Sequence, residues 1–147
     1  MAKAGVSSLN MALVIGCLLT TASCTRTPPE AALRQSVAEL RAAIEERDAG
    51  AIRDALAGDF IGNGALDRDG ARRLAAVYFM QSTSIGITLG PLDVALRDHH
   101  ATVRSTAALT GGNGRLLPDN AGLYDLRSGW RLDDGEWRMT SLEWTPR

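Results

Sequence analysis

Apolar residues early in the chain recur with the spacing of a helix. They are separated by four, three and four positions, so they share one helical face. Pro29 suits the first turn of such a helix, and Glu30 lies near the positive end of the helix dipole. The pattern predicts a helix over residues 30–47. Its apolar stripe consists of Leu33, Val37, Leu40 and Ile44.

Two further helices are predicted before the pattern changes. A short helix covers residues 51–57, and Asp48 stands where it would cap the first turn. A third helix covers residues 69–81 and begins after a cap supplied by Asp67 or Asp69. Its apolar set is Leu74, Val77 and Tyr78, with Met80 or Phe79 as a further member.

From residue 84 onward, apolar and polar residues alternate, as they do in strands with one buried face. One alternating run covers residues 92–96 and another covers residues 103–109. The polar segment 98–100 between them predicts a hairpin turn. Residues 110–122 contain four glycines and predict a loop.

A second hairpin is predicted at the end of the chain. Alternation resumes over residues 124–132, and Asp134-Gly135 is a strong signal for a two-residue turn. The parity of the apolar positions changes after Met139, which predicts a β-bulge near Thr140 and Ser141.

This order of elements predicts an α+β fold, because helices come first and hairpin-linked strands follow. We expect the helices to cover one face of a strongly curved sheet with antiparallel strands throughout. The glycine-rich residues 58–64 predict an irregular connection between the second and third helices. The predicted domain occupies residues 30–147.

The N-terminus has the pattern of an export signal. Lys3 precedes an apolar run over residues 11–19, and small polar residues follow up to Ser23. The run is too short to cross a bilayer, which takes roughly 20 residues. We therefore expect residues 1–23 to be a signal peptide and residues 24–29 to be a tether.

The signal peptide resembles that of a bacterial lipoprotein, in which a cysteine after small residues is acylated. Residues 21–24 (TASC) match this pattern, and Cys24 is the predicted lipidation site. Cys17 fits the pattern locally and remains an alternative, as does simple cleavage without acylation. The expected location is the periplasmic side of a bacterial envelope, anchored to the membrane by lipid. Thr25, in place of an aspartate, slightly favours the outer membrane.

Charge and composition exclude some functions. The net charge is −1, which is unlike a protein with a broad nucleic-acid surface. Cys17 and Cys24 are the only cysteines, so a disulfide-based scaffold is excluded. Adjacent His99 and His100 form a solvated turn more readily than a metal site, because neighbouring strand residues point to opposite faces. No metal and no cofactor is predicted.

Residues 30–145 resemble the nuclear transport factor 2-like superfamily, the cystatin-like cone. The resemblance lies in the three predicted helices and in segments 58–60 (GDF), 101–103 (ATV) and 134–138 (DGEWR). It implies a curved sheet wrapped on helices around a conical cavity that is open at one end. Members include isomerases, dehydratases and dimeric adaptors, so the fold does not settle the function.

The resemblance suggests which residues would be catalytic. Isomerase-like members use a carboxylate base opposite a tyrosine or protonated aspartate in an apolar cone, where the carboxyl pKa is raised. Asp59 and Tyr124 are weak catalytic candidates, since Asp59 at a helix end is more often a cap or an arginine partner. Asp125 falls on the opposite strand face from Tyr124. The full set of polar groups considered is Asp59, Tyr78, Tyr124, Asp125 and Glu143.

We expect a non-catalytic envelope lipoprotein whose cone binds a small apolar ligand or supports protein assembly. The alternative is a cofactor-independent isomerase or dehydratase that uses a carboxylate in the cone. A homodimer through the outer sheet face is a further expectation, which the resemblance implies. The candidate ligand-binding residues are Tyr78, Tyr124, Trp130 and Trp137, while Trp144 is a further heavy apolar residue of the sheet.

Overall fold

A computed structural model describes residues 28–112 and 120–147. The predicted signal peptide, Cys17, Cys24 and most of the predicted tether lie outside the described residues. Within the described ranges, no helix combines the length and the apolar character needed to cross a membrane. The elements run from Pro29 to Pro146, in agreement with an α+β fold.

The three predicted helices are present, with small shifts of their ends. Helix α1 is Pro29–Glu45, α2 is Ala49–Ala55 and α3 is Arg68–Gln81. The Asp48 carboxylate accepts the backbone N–H of Ala51 at 2.9 Å and so caps α2. Of the two predicted caps for α3, Asp67 is the one used: its carboxylate accepts the Gly70 N–H at 2.6 Å.

Seven strands of the described chain form one sheet. Their order is β2-β1-β7-β6-β5-β3, and β4 also pairs with β5. The strands are β1 Leu56–Gly62, β2 Leu66–Asp67, β3 Ser84–Leu89, β4 Asp93–Arg97, β5 His100–Gly112, β6 Asn120–Asp133 and β7 Glu136–Pro146.

The prediction of an all-antiparallel sheet is wrong at one strand. Residues 58–62 belong to β1, which pairs in parallel with β7, so the sheet is mixed. Leu56 lies opposite Met139 and Gly62 lies opposite Leu142. The glycines suggested a loop, but the pairing depends on a partner far along the chain, and no local pattern reports it. The inward residue Phe60 is buried and holds the strand in place.

The predicted loop over residues 110–122 is also too long. Strand β5 continues to Gly112 and β6 begins at Asn120, with Leu109 opposite Gly122 and Gly111 opposite Asn120. Glycine is uncommon in strand interiors, and this misled the prediction. Here a cross-strand partner holds each of these backbone segments extended.

Both predicted hairpins are confirmed. A turn at Asp98 and His99 joins β4 to β5, while His100 already belongs to β5. Asp134 and Gly135 join β6 to β7 with φ values of 51° and 83°, as a type I′ turn requires. The predicted bulge is present as well. Gly129 pairs with Ser141 and Trp130 with Met139, which leaves Thr140 as the extra residue.

Helix α1 protects the edge of the sheet formed by β3 and the segment before β4. The Arg34 guanidinium donates to the Leu92 carbonyl at 3.4 Å, and the Ile87 N–H donates to the Glu45 carboxylate at 3.4 Å. These bonds occupy backbone groups that would otherwise be open to pairing with another strand. The apolar stripe of the same helix faces the inner side of the sheet.

The core lies where α1 meets the inner face of β5, β6 and β7. Leu33 and Trp130 are its most deeply buried large side chains. The Trp137 indole N–H donates to the Pro29 carbonyl at 3.1 Å and joins the start of α1 to the final strand. The cluster consists of Leu33, Leu56, Phe60, Ala101, Val103, Trp130, Trp137 and Met139.

Candidate ligand-binding cone

An open cavity of about 390 Å³ lies between the helices and the inner face of the sheet. Its wall comes from α1 and α3 on one side and from β3, β5, β6 and β7 on the other. The wall is almost entirely aliphatic and aromatic. Among the described residues that line it there is no aspartate, glutamate or histidine.

The floor of the cone contains polar atoms, but they bond to one another. Trp130 is 2% exposed, and its indole N–H donates to the Ser128 hydroxyl at 2.9 Å. That hydroxyl in turn donates to the Val103 carbonyl at 3.3 Å. The Ser105 hydroxyl lies within 3.0 Å of the Gly90 carbonyl. Because these groups are satisfied internally, the floor is effectively apolar for a ligand.

Tyr124 lies on the cavity face of β6, as the strand alternation predicted. Its ring folds back over Gly122, two residues earlier on the same face. A Cβ atom placed on Gly122 would meet the Tyr124 ring and hydroxyl at 2.6 to 2.9 Å. The absence of a side chain at Gly122 therefore sets the position of this tyrosine.

Helix α3 covers the cone loosely. None of its residues is fully buried, although Ala75 and Phe79 contribute to the cavity wall. Two members of the predicted apolar set, Leu74 and Tyr78, also line the cavity but remain 42% and 56% exposed. Val77, the third member, is absent from the wall and exposed. Leu74 and Tyr78 lie at the rim of the cavity, where a ligand would cover them.

Trp137 does not line this cavity. It is on the inner face of β7 and packs against the start of α1, where its indole N–H bonds to the Pro29 carbonyl. The alternation along β7 correctly predicted that Trp137 faces inward. It carried no information on how far along the cone Trp137 lies. Trp137 is therefore a core residue, whereas Tyr78, Tyr124 and Trp130 line the cavity.

Asp59 lies outside the cone, on the outer face of β1. Its carboxylate accepts two hydrogen bonds from the Arg131 guanidinium, at 2.9 and 3.0 Å. Arg131 also donates to Asp133 at 2.8 Å, so one guanidinium joins two carboxylates. These bonds hold the pKa of Asp59 and of Asp133 below the usual range and raise the pKa of Arg131. Asp59 is therefore an arginine partner. It lies within β1, whereas the sequence suggested a helix end.

The other two carboxylates considered are also outside the cavity wall. Asp125 lies on the outer face of β6 and forms an ion pair with Arg147 at 3.2 Å. Glu143 lies opposite Arg127 on the same outer face. Within the described ranges, no group of three His, Cys, Asp or Glu side chains could hold a metal ion.

Arg41 is the lining residue that the sequence did not single out. It is the one charged side chain among the described residues of the cavity wall. It follows Leu40 directly and so flanks the apolar stripe of α1. A cation beside a buried apolar stripe can be recognised in a sequence. Surface helices contain many such cations, so the pattern does not identify a lining residue.

No protein-family model matches the chain, and no curated protein sequence matches it. Solved structures do match. The protein Bd1075 of Bdellovibrio bacteriovorus has a TM-score of 0.70 at 12% identity over 78% of this chain, which spans only 40% of that protein.

Two other structures match over most of their length. A Novosphingobium aromaticivorans protein assigned provisionally as a scytalone dehydratase has a TM-score of 0.72 at 14% identity, covering 79% of this chain and 82% of that one. A protein from the same species, described as NTF2-like with a cystatin-like fold, has a TM-score of 0.63 at 17% identity, covering 78% and 79%. The chain therefore has the nuclear transport factor 2-like, cystatin-like fold.

The Asp59–Arg131 pair predicts a pH-dependent contribution to stability. The pKa of Asp59 is lower in the folded protein than its value of about 3.9 in an unfolded chain. The pair therefore stabilises the fold above that pH, and the contribution disappears as the pH falls through the folded pKa. We expect Asp59→Asn to lower the urea midpoint at pH 7 and to have no effect once the pH is below that pKa.

A double-mutant cycle with Arg131→Gln separates this pair from other effects of the substitution. The coupling between the two sites should be present at pH 7 and absent in acid. A coupling that persists unchanged in acid would contradict the assigned ion pair.

Proposed function

We propose that this chain is a lipid-anchored envelope protein whose cone binds a small apolar molecule without transforming it. The open cavity of about 390 Å³ carries this proposal. Its size falls in the lower part of the range typical of ligand sites, and its wall is apolar with few polar groups. A packed domain of this size would not leave such a void unfilled without a structural cost.

The wall favours binding over catalysis. General acid–base catalysis in a cone of this kind needs a carboxylate or an imidazole within reach of the substrate. Asp59, the candidate base, is on the outer face and paired with Arg131. The rival function, a cofactor-independent isomerase or dehydratase, lacks such a residue in the described wall. The dehydratase assignment of one structural relative belongs to that relative, and the likeness is one of fold.

The location proposed here rests on the sequence pattern of residues 1–24. Four residues separate Cys24 from the start of α1 at Pro29. An extended chain rises at most about 3.6 Å per residue, so this tether would hold the domain within roughly 18 Å of the bilayer surface. A cone at that distance would be placed to take up a molecule that partitions between membrane and periplasm.

A second candidate role is assembly through the outer sheet face. This face carries Leu123, which is 59% exposed, among charged residues of both signs. Arg104 and Arg127 lie directly opposite each other, with Asp93 and Glu143 as their outer neighbours. Arg104 already forms an ion pair with Asp93 at 3.9 Å, so the exposed Leu123 among these charges is the feature that favours a contact with a second copy.

The binding proposal predicts saturable uptake of a neutral apolar probe, such as N-phenyl-1-naphthylamine. At 100 times its Kd, the probe should stabilise the fold by about 2.7 kcal/mol. Filling the cavity by Ala75→Phe should weaken binding by about tenfold or more, a loss of roughly 1.4 kcal/mol. Fluorescence titration and thermal unfolding measure both effects.

Ala95→Phe is the matched control for this experiment, because Ala95 is exposed on the outer face of β4. It adds the same side chain away from the cavity and should leave probe binding unchanged. Equal binding by both variants, or no binding by the folded parent chain, would count against the cone as a ligand site.

The anchoring proposal predicts incorporation of labelled palmitate at Cys24. Cys24→Ser should abolish the label and leave the chain unacylated, whereas Cys17→Ser should keep it. Membrane fractionation and mass spectrometry of the N-terminal peptide read out the result. Labelling that survives Cys24→Ser but not Cys17→Ser would assign the anchor to Cys17. The absence of labelling in the parent chain as well as in both variants would indicate export and cleavage without acylation.

The assembly proposal predicts a homodimer that depends on the outer face. Leu123→Asp should shift the sedimentation coefficient of the mature chain from dimer to monomer, because it places a charge in the buried contact. Val77→Asp, at an exposed residue of α3, is the control and should leave the dimer intact. A parent chain that sediments as a monomer at high concentration would exclude this role.

A further inference from the structure

We propose that the cone selects a single-chain amphiphile with an acidic head group, and that Arg41 binds that head. This inference rests on the proposed binding function and specifies the class of ligand. It comes from the contrast between an apolar wall and the single charged side chain of its described part.

Arg34 and Arg41, both on α1, differ in the hydrogen bonds that their side chains make. Arg34 is held by the fold, because it donates to the Glu30 carboxylate at 2.8 and 2.9 Å and to the Leu92 carbonyl at 3.4 Å. Arg41 makes no side-chain hydrogen bond within the described ranges. Arg41 forms an exposed ion pair with Glu45, one turn further along the helix, but the 3.7 Å between its Nη1 atom and the carboxylate oxygen is too long for a hydrogen bond.

Glu45 is itself partly engaged elsewhere. The carboxylate oxygen that faces Arg41 also accepts the backbone N–H of Ile87 at 3.4 Å. The Arg41 side chain is 45% exposed and also lines the cavity, so it lies between the apolar wall and the solvent. This is the arrangement of a cation available to an anion at the rim of an apolar site.

Arginine binds carboxylates through two parallel N–H···O bonds, which adds both energy and geometric specificity. The tail would lie against the aliphatic wall, where the serine hydroxyls already have partners. The cavity volume of about 390 Å³ lies in the lower part of the range of small-molecule sites, so a short single chain suits it better than a large ligand. A medium-chain saturated acid such as decanoate is therefore a suitable probe.

The test compares decanoate with 1-decanol and decylamine, which share the tail but differ in the charge of the head. The mature chain with Cys24→Ser is used, so that no attached acyl chain competes for the cone. All ligands stay below the concentration at which they form micelles. By calorimetry, we expect decanoate to bind about tenfold more tightly than 1-decanol and decylamine to bind most weakly.

Arg41→Gln should remove the preference for decanoate and leave the affinity for 1-decanol within about twofold of its original value. Arg41→Lys should restore part of the preference, because it keeps the charge but not the bidentate geometry. Arg34→Gln is the matched control on the same helix and should keep the full preference, since Arg34 is already bound to Glu30.

Equal binding of decanoate and 1-decanol, with no effect of Arg41→Gln, would overturn the inference while the binding function stands. No binding of any of the three ligands would overturn both. A short-chain phosphatidic acid distinguishes a two-chain membrane lipid from a free acid. Tighter binding of that lipid than of decanoate would overturn the single-chain assignment.

Discussion

The packing of the start of α1 against the inner face of the sheet is the contact on which the rest of the structure depends. Leu33 and Trp130 are buried there, and the Trp137 indole N–H donates to the Pro29 carbonyl. The core holds the N-terminal end of α1, and the following turns contribute Val37, Leu40 and Ile44 to the cavity wall. Phe60, Val103, Trp130 and Met139 belong both to the core cluster and to the cavity wall, so the hydrophobic core and the candidate site are continuous.

The polar groups of the structure are divided between the two faces of the sheet. Inside, the hydroxyls of Ser105 and Ser128 bond to nearby carbonyls, which leaves an apolar surface for a ligand. Outside, Arg131 joins Asp59 of β1 to β6 across β7. This charge-assisted bridge stabilises the parallel strand β1 on the outer face of the sheet, where no hydrophobic core packs against it. Two of the carboxylates that would suggest catalysis, Asp59 and Asp125, thus have arginine partners.

The periodic parts of the sequence predicted most of the fold. The stripe of α1, the caps of α2 and α3, both hairpin turns and the bulge at Thr140 all follow from local residue preferences. Two predictions were wrong because glycine weakens the local strand signal. Strand β1 and the ends of β5 and β6 are held by partners distant in the chain. Tyr78, Tyr124 and Trp130 of the site were predictable, whereas Arg41 was not.

By itself, the sequence determined the inward face of α1 and of the strands with regular alternation, because the alternation of a strand and the stripe of a helix are properties of local geometry. It thereby determined an α+β fold with an apolar inner surface. Only the tertiary structure decided how far along the cone each inward residue lies. Trp137 and Tyr124 share one face of the sheet, yet one is in the core and the other lines the cavity. That difference depends on which part of the inner sheet face α1 and α3 cover, which is set by contacts between distant segments.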